Sequence, residues 1–151
     1  MYQIQEEVDI SAPIEVVWDL LMDLNGYSRW NSFVIDAKLH DSDTLKVGAQ
    51  QTITVRMKAG GDTADYNNTI TKVEQNREIR WRGALVSPII FDTEHYMTLS
   101  PGSLPNSCRF VQGEKFTGLL IWLIRMTSTF EDLKSAYLRM NDDLKRAAER
   151  I

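Results

Sequence analysis

Between Phe33 and Phe116 the chain is a succession of short alternating segments joined by short loops, and this pattern narrows the possible folds more than any other feature. FVIDAKL sets Phe33, Ile35, Ala37 and Leu39 on one face, and QQTITVRM sets Ile53, Val55 and Met57 against Thr52, Thr54 and Arg56. YNNTITKV, EIRWRGAL, FDTEHYMTL and CRFVQGEKF follow, set off by KAGGDTAD, EQNR, VSPII and SPGSLPNS. Successive side chains of a strand point to opposite faces, so each segment reads as a half-buried strand. Parallel neighbours need a crossover of a dozen or more residues, which these loops cannot supply, so the sheet is antiparallel.

The two ends of the chain complete the plan. YQIQEEVDI places Tyr2, Ile4, Glu6, Val8 and Ile10 on one face of a first strand. Ser11 and Pro13 then mark a helix entrance, the serine suited to capping free amides and the proline having no early donor to lose. Ile14, Val17, Trp18, Leu21 and Leu24 recur at helical spacing until Asn25-Gly26, and a short turn or helix follows around Tyr27 to Trp30. After Gly118 a four-three repeat runs through Met126, Phe130, Leu133, Tyr137, Met140, Leu144, Ala147 and Ile151. Ser128 with Glu131 offers a capping box, so this helix is either continuous or broken near Ser128. The class is α+β, with the C-terminal helix the one element long enough to cover an apolar sheet face.

Composition removes several classes of function. Twenty-one acidic against seventeen basic residues give a net charge of −4 at pH 7, with no basic stripe for a duplex nucleic acid. LLIWLI at 119–124, the longest apolar run, is far short of the roughly 20 residues that span a bilayer. That run reads first as core, with a cavity lip or a dimer contact as the other possibilities. No secretory signal opens the sequence, and a single cysteine, Cys108, suits a reducing compartment, so the expected location is cytoplasmic. Two histidines without close ligand spacing argue against a structural metal, and no cofactor is implied.

The residues that carry chemistry stand where apolar ones are expected. His95 shares a face with Phe91, Met97 and Leu99, and Gln112 and Glu114 lie between Phe110 and Phe116. If these strands form a hairpin around SPGSLPNS, His95 comes opposite or diagonal to Gln112 or Glu114. A buried carboxylate without a partner is costly, so Glu114 needs His95, water or a ligand to solvate it. These residues alone fit either a satisfied core pair or a binding role. Trp81 also points toward the covered side, whereas Arg80 and Arg82 read as a solvated face, Trp18 as core and His40 as an exposed loop residue.

VDISAPIEVVWDLLMDLNGYSRWNSF, then EIRWRG, EHYMTL, FVQGEKFTGLL and MNDDLKRAAE, resemble in order the SRPBCC superfamily of START-like, polyketide-cyclase-like and birch-allergen-like proteins. The resemblance spans the chain and implies one START-like ligand-binding domain over residues 1–151. It implies a helix-grip fold: a seven-stranded antiparallel sheet around a long C-terminal helix, two short helices after the first strand, and a cavity between. Trp81, His95 and Glu114 fall at cavity-facing positions of the family. Ser32 departs from it, since many relatives have proline there.

The leading expectation is a carrier or sensor for a small, hydrophobic molecule with one polar end. Met57, Trp81, Phe91, Met97, Phe110, Met126, Phe130 and Tyr137 would form the apolar wall, and His95, Gln112 and Glu114 would fix the polar group. Loop 58–65, the VSPII loop and the start of the last helix would form the mouth. One alternative is a cyclase- or dehydratase-like enzyme with His95 or Glu114 as the acid-base group. Another is a protein-interaction module, which requires a filled interior.

Overall fold

The computed structural model describes residues 1–84 and 87–151. The end of EIRWRGAL at Leu85 and the start of VSPII at Val86 lie outside the described residues. The seven strands are β1 (Tyr2–Ile10), β2 (Val34–His40), β3 (Gln50–Arg56), β4 (Thr63–Glu74), β5 (Glu78–Ala84), β6 (Asp92–Pro101) and β7 (Cys108–Thr117). They form one antiparallel sheet in the order β1-β7-β6-β5-β4-β3-β2. Helices α1 (Ile14–Met22) and α2 (Tyr27–Trp30) lie between β1 and β2, and α3 (Ile121–Ile124) and α4 (Thr129–Glu149) follow β7. This is the antiparallel α+β plan expected from the strand pattern, in the helix-grip arrangement that the resemblance implies.

Several local readings change for identifiable reasons. Ser11 does not cap α1: the cap position is Pro13, whose carbonyl accepts from the Val16 and Val17 amides, and the Ser11 amide donates instead to Glu149 Oε1 at 2.9 Å. The helix also stops earlier than expected, passing through a single 3₁₀ turn at Leu24–Gly26 into α2. In β2 the register slips between Val34 and Asp36, so Ile35 is the extra residue of a bulge and Val34 takes its place on the inner face. β4 begins at Thr63, because pairing with β3 extends to Thr63↔Arg56 and draws Thr63, Ala64 and Asp65 of the expected loop into the sheet. His40 closes β2 rather than lying in a loop, with Nε2 2.8 Å from the Thr52 hydroxyl.

The C-terminal helix is broken, and Thr127 rather than the expected capping box makes the break. The Thr127 hydroxyl donates to the Ile124 carbonyl at 2.6 Å and accepts from the Thr129 amide at 3.2 Å. Ser128 makes no side-chain bond to a backbone amide; its hydroxyl turns to Asp132 Oδ2. The stripe of α4 then holds Phe130, Leu133, Ala136, Tyr137, Met140, Leu144 and Ala148 against the sheet. Met126 and Ile151, the ends of the expected repeat, are 78% and 80% exposed because the break and the chain end carry them off that stripe. Ser32 helps seat α4: its amide and hydroxyl both bond to Asp143 Oδ2, at 2.8 and 2.5 Å. A proline at that position would lose the first of these bonds.

On the outer face, Arg80 joins Glu78 and Glu94 and sits over the Tyr96 ring, while Arg82 pairs with Asp92. The solvated arginines are thus rungs of an ion-pair ladder across β5 and β6, which Lys72 of β4 joins through Glu78. Among the described residues no helix is long and apolar enough to cross a membrane.

Candidate functional site

Register brings the site together. His95 on β6 is paired with Trp81 on β5 and with Glu114 on β7, so the three side chains form one row across the inner face. The Trp81 ring stacks on His95 with centroids 4.6 Å apart and planes at 15°. Tyr137 comes down from α4 edge-on to the imidazole, with its hydroxyl 3.3 Å from His95 Nδ1. The same hydroxyl donates to Glu114 Oε2 at 2.6 Å.

The acid's partner is a fourth group, beyond the imidazole, water or ligand expected from the sequence. Tyr137 hydrogen-bonds to Glu114, and the tyrosine stands between carboxylate and imidazole. Tyr137 was assigned to the apolar wall on spacing alone, whereas its hydroxyl is the hub of the cluster. A buried tyrosine needs a partner for its hydroxyl, a signal in the sequence that could have found this role.

Burial sets the charges. It lowers the His95 pKa to about 3, so the imidazole is neutral at neutral pH. Burial raises the Glu114 carboxyl above its ordinary range, opposed by the bonds from Tyr137 and Thr93. Glu114 is half-buried and lines the cavity. Burial, reinforced by the neighbouring acid, holds the Tyr137 proton well above the usual phenol range. The site presents a phenol that keeps its proton, a neutral imidazole and a destabilised carboxylate.

These groups open into a cavity of about 590 Å³ between the sheet and α4. Of the residues expected at the site, Met57, Trp81, Phe91, His95, Glu114, Phe130 and Tyr137 line it. Four others do not. Met97 and Phe110 are sealed in the core at 1% and 0% exposure, and Gln112 is fully buried with its Nε2 donating to Asn141 Oδ1 at 2.6 Å. Met126 is on the surface beyond the helix break. Alternation gives the face of the sheet but not the position along the covering helix, and these three core residues lie where α4 packs tightly.

The structure adds wall residues that the sequence reading missed. Phe33, Ile53, Val55, Phe116 and Leu133 extend the apolar lining, and Asn68, Gly83 and Thr93 bring polar or small groups to it. Phe116, Thr93, Ile53 and Val55 were recoverable from the same alternation that gave their neighbours. Aromatic packing closes one side: Phe130 lies 4.3 Å from Tyr2 and 4.9 Å from Phe116, and Phe91 lies 5.9 Å from Phe116.

LLIWLI is not core. Leu119, Trp122 and Leu123 are exposed, while Ile121 and Ile124 are partly buried and Ile124 reaches the cavity, so the segment is a lip. Opposite it, Arg139 of α4 donates to the Arg56 and Met57 carbonyls at 2.8 and 3.1 Å, tying the end of β3 to the helix.

Residues 1–149 match the family model described as polyketide cyclase / dehydrase and lipid transport, and the chain belongs to that family. A search of curated proteins found no match to this chain. Among solved structures it is similar to a START superfamily protein from Mycobacterium smegmatis, with 14% identity, 99% of each chain covered and a TM-score of 0.75. It is also similar to a protein from Chromobacterium violaceum, with 17% identity, 97% of this chain and 96% of that one covered, and a TM-score of 0.71. DynU16, from the dynemicin biosynthetic locus, is 19% identical at a TM-score of 0.70, with 97% of this chain but 47% of that one covered. At these identities the likeness is one of fold.

Proposed function

We propose that the protein binds and carries, or senses, a small hydrophobic molecule with a polar end, and that it does so in the cytoplasm. The observation that carries this reading is the hollow of about 590 Å³, walled mainly by aromatic and aliphatic side chains and holding the Glu114–Tyr137–His95 cluster. Pockets with an apolar wall and a few convergent polar groups are the usual form of small-molecule sites. An interior of this kind weighs against the interaction-module reading, which requires a filled core. The family description, with both lipid transport and cyclase or dehydrase chemistry, accommodates the binding reading and one alternative.

That alternative is acid-base catalysis, and a specific observation favours it: a carboxylate and a neutral imidazole share one phenol at the cavity wall. A general base works best with a pKa near the working pH. Glu114 is shifted toward that range and His95 away from it, so Glu114 would remove the substrate proton and Tyr137 would serve as hydrogen-bond donor.

Native mass spectrometry of the purified protein, followed by solvent extraction, tests the binding reading. The expected result is an added mass that extracts as an apolar molecule and is lost in Trp81→Ala. A wild-type protein that neither co-purifies with nor takes up any apolar probe would overturn it. Turnover of a polyketide mimic, abolished by Glu114→Gln and retained in His95→Ala, would favour the enzyme.

A further inference from the structure

One row further along the strands, the inner face carries a second set of polar groups away from the Glu114 cluster. Asn68 on β4 is paired with Gln51 on β3, and Gln51 Nε2 donates to Asn68 Oδ1 at 2.7 Å. Both residues are buried, at 0% for Gln51 and 8% for Asn68, and Asn68 lines the cavity. One hydrogen bond joins two amides, so capacity is left over. Gln51 Oε1 is buried without a partner among the described residues, and the bond from Gln51 engages Asn68 through its Oδ1 rather than its Nδ2. An amide donor not used by its neighbour, at the wall of a hollow, is able to serve a ligand oxygen.

The neighbouring position makes room for that partner. A Cβ built on Gly83 would lie 3.8 Å from Asn68 Cβ, 3.7 Å from the Thr93 hydroxyl and 3.3 Å from the Asn67 carbonyl oxygen. Gly83 therefore sits between Asn68 and Thr93, and its missing side chain leaves a notch in the cavity wall. Its backbone does not demand glycine, because the positive φ angles belong to Gly48, Gly60 and Gly118. The notch adjoins Trp81, two residues back on the same strand. With strands about 4.8 Å apart and about 3.4 Å per residue, Asn68 and His95 are roughly 10 to 12 Å apart across the sheet.

We propose that Asn68, braced by Gln51 and facing the Gly83 notch, is a second polar anchor, so that the ligand is a rigid apolar body with hydrogen-bonding oxygen groups at both ends. The far oxygen accepts from Asn68 Nδ2 and the near one bonds at Glu114 or His95. This rests on the cavity-binding reading and narrows it: single-headed chains such as fatty acids use one anchor and leave the other empty.

Two rigid probes separate the cases. Para-phenylphenol carries one hydroxyl, and para,para-biphenol carries a second at the opposite end of the same frame. Titration calorimetry on the full chain should show biphenol binding about three- to tenfold more tightly, the gain of one net hydrogen bond. Asn68→Leu and Gln51→Met should each bring the affinities of the two probes to within about twofold of one another, and Gly83→Ala, which fills the notch, should do the same. Three variants at separate positions protect the test against one that fails to fold. If phenylphenol binds but biphenol gains nothing, or the gain survives in folded Asn68→Leu, the second anchor is overturned and the cavity reading stands. If neither probe binds, the cavity reading fails and takes the second anchor with it.

Discussion

Gln112 and Glu114 stand two residues apart on β7, face the same side of the sheet, and meet opposite surroundings. Gln112 is wholly enclosed and bonded to Asn141 and the Tyr137 carbonyl of α4, while Glu114 borders the cavity and is held by the Tyr137 hydroxyl. β6 repeats the contrast with Met97 in the core and His95 in the cavity wall. The change from filled to hollow takes place within one strand pair, about 7 Å of strand. One end of the α4–sheet interface supplies cohesion, and the other retains space and polar groups that a filled core would exclude.

The sharpest test of this division is truncation at each end. Phe110→Ala, in the filled half, should cost about 3–5 kcal/mol in urea unfolding, because the surroundings cannot collapse into the space. Phe91→Ala, whose ring is partly buried and borders an existing void, should cost less than about 2 kcal/mol. Equal costs would break the distinction.

The next effect comes from His95. Its folded pKa lies near 3 against 6.5 in the unfolded chain, so the unfolded state takes up the proton first. Stability should therefore fall as the pH drops below 6.5, by roughly 1.4 kcal/mol per pH unit, with the loss continuing toward the folded value. His95→Gln should flatten that slope in unfolding curves taken across the same range.

The smallest effects should differ in sign. Gln112→Leu leaves Asn141 without its bond and should destabilise by about 1–2 kcal/mol. Glu114→Gln should stabilise at neutral pH, because burial raises the folded pKa and the ionised form is disfavoured in the fold. That gain should vanish below the ordinary value of 4.5, where the unfolded carboxyl is also protonated. Thermal melts at acid and neutral pH read both variants.

The sheet and its covering helix were legible because alternation at period two and a four-three repeat are local signals. His95, Glu114 and Trp81 were found together because each interrupts or shares a readable inner face, and strand pairing follows from a short connection. Met97, Phe110 and Gln112 could not be separated from the cavity residues by the same rule, since depth along α4 is set by packing between elements far apart in sequence. Met126 was misplaced by a helix break that turns on one threonine hydroxyl. Asn68 and Gly83 were missed because an amide and a glycine in strands give no apolar signal, and their meaning comes only from what stands beside them.

The sheet begins with β1 and β1 pairs with β7, so Tyr2 meets Phe116 and Ile10 meets Cys108. These partners lie about a hundred residues apart in the chain, and closing so long a loop is entropically expensive and slow. During synthesis β1 must wait, unpaired, until β7 has emerged. The slowest step of maturation should be the docking of the first nine residues, and a nascent chain halted before Cys108 would present them as an open edge for misassembly.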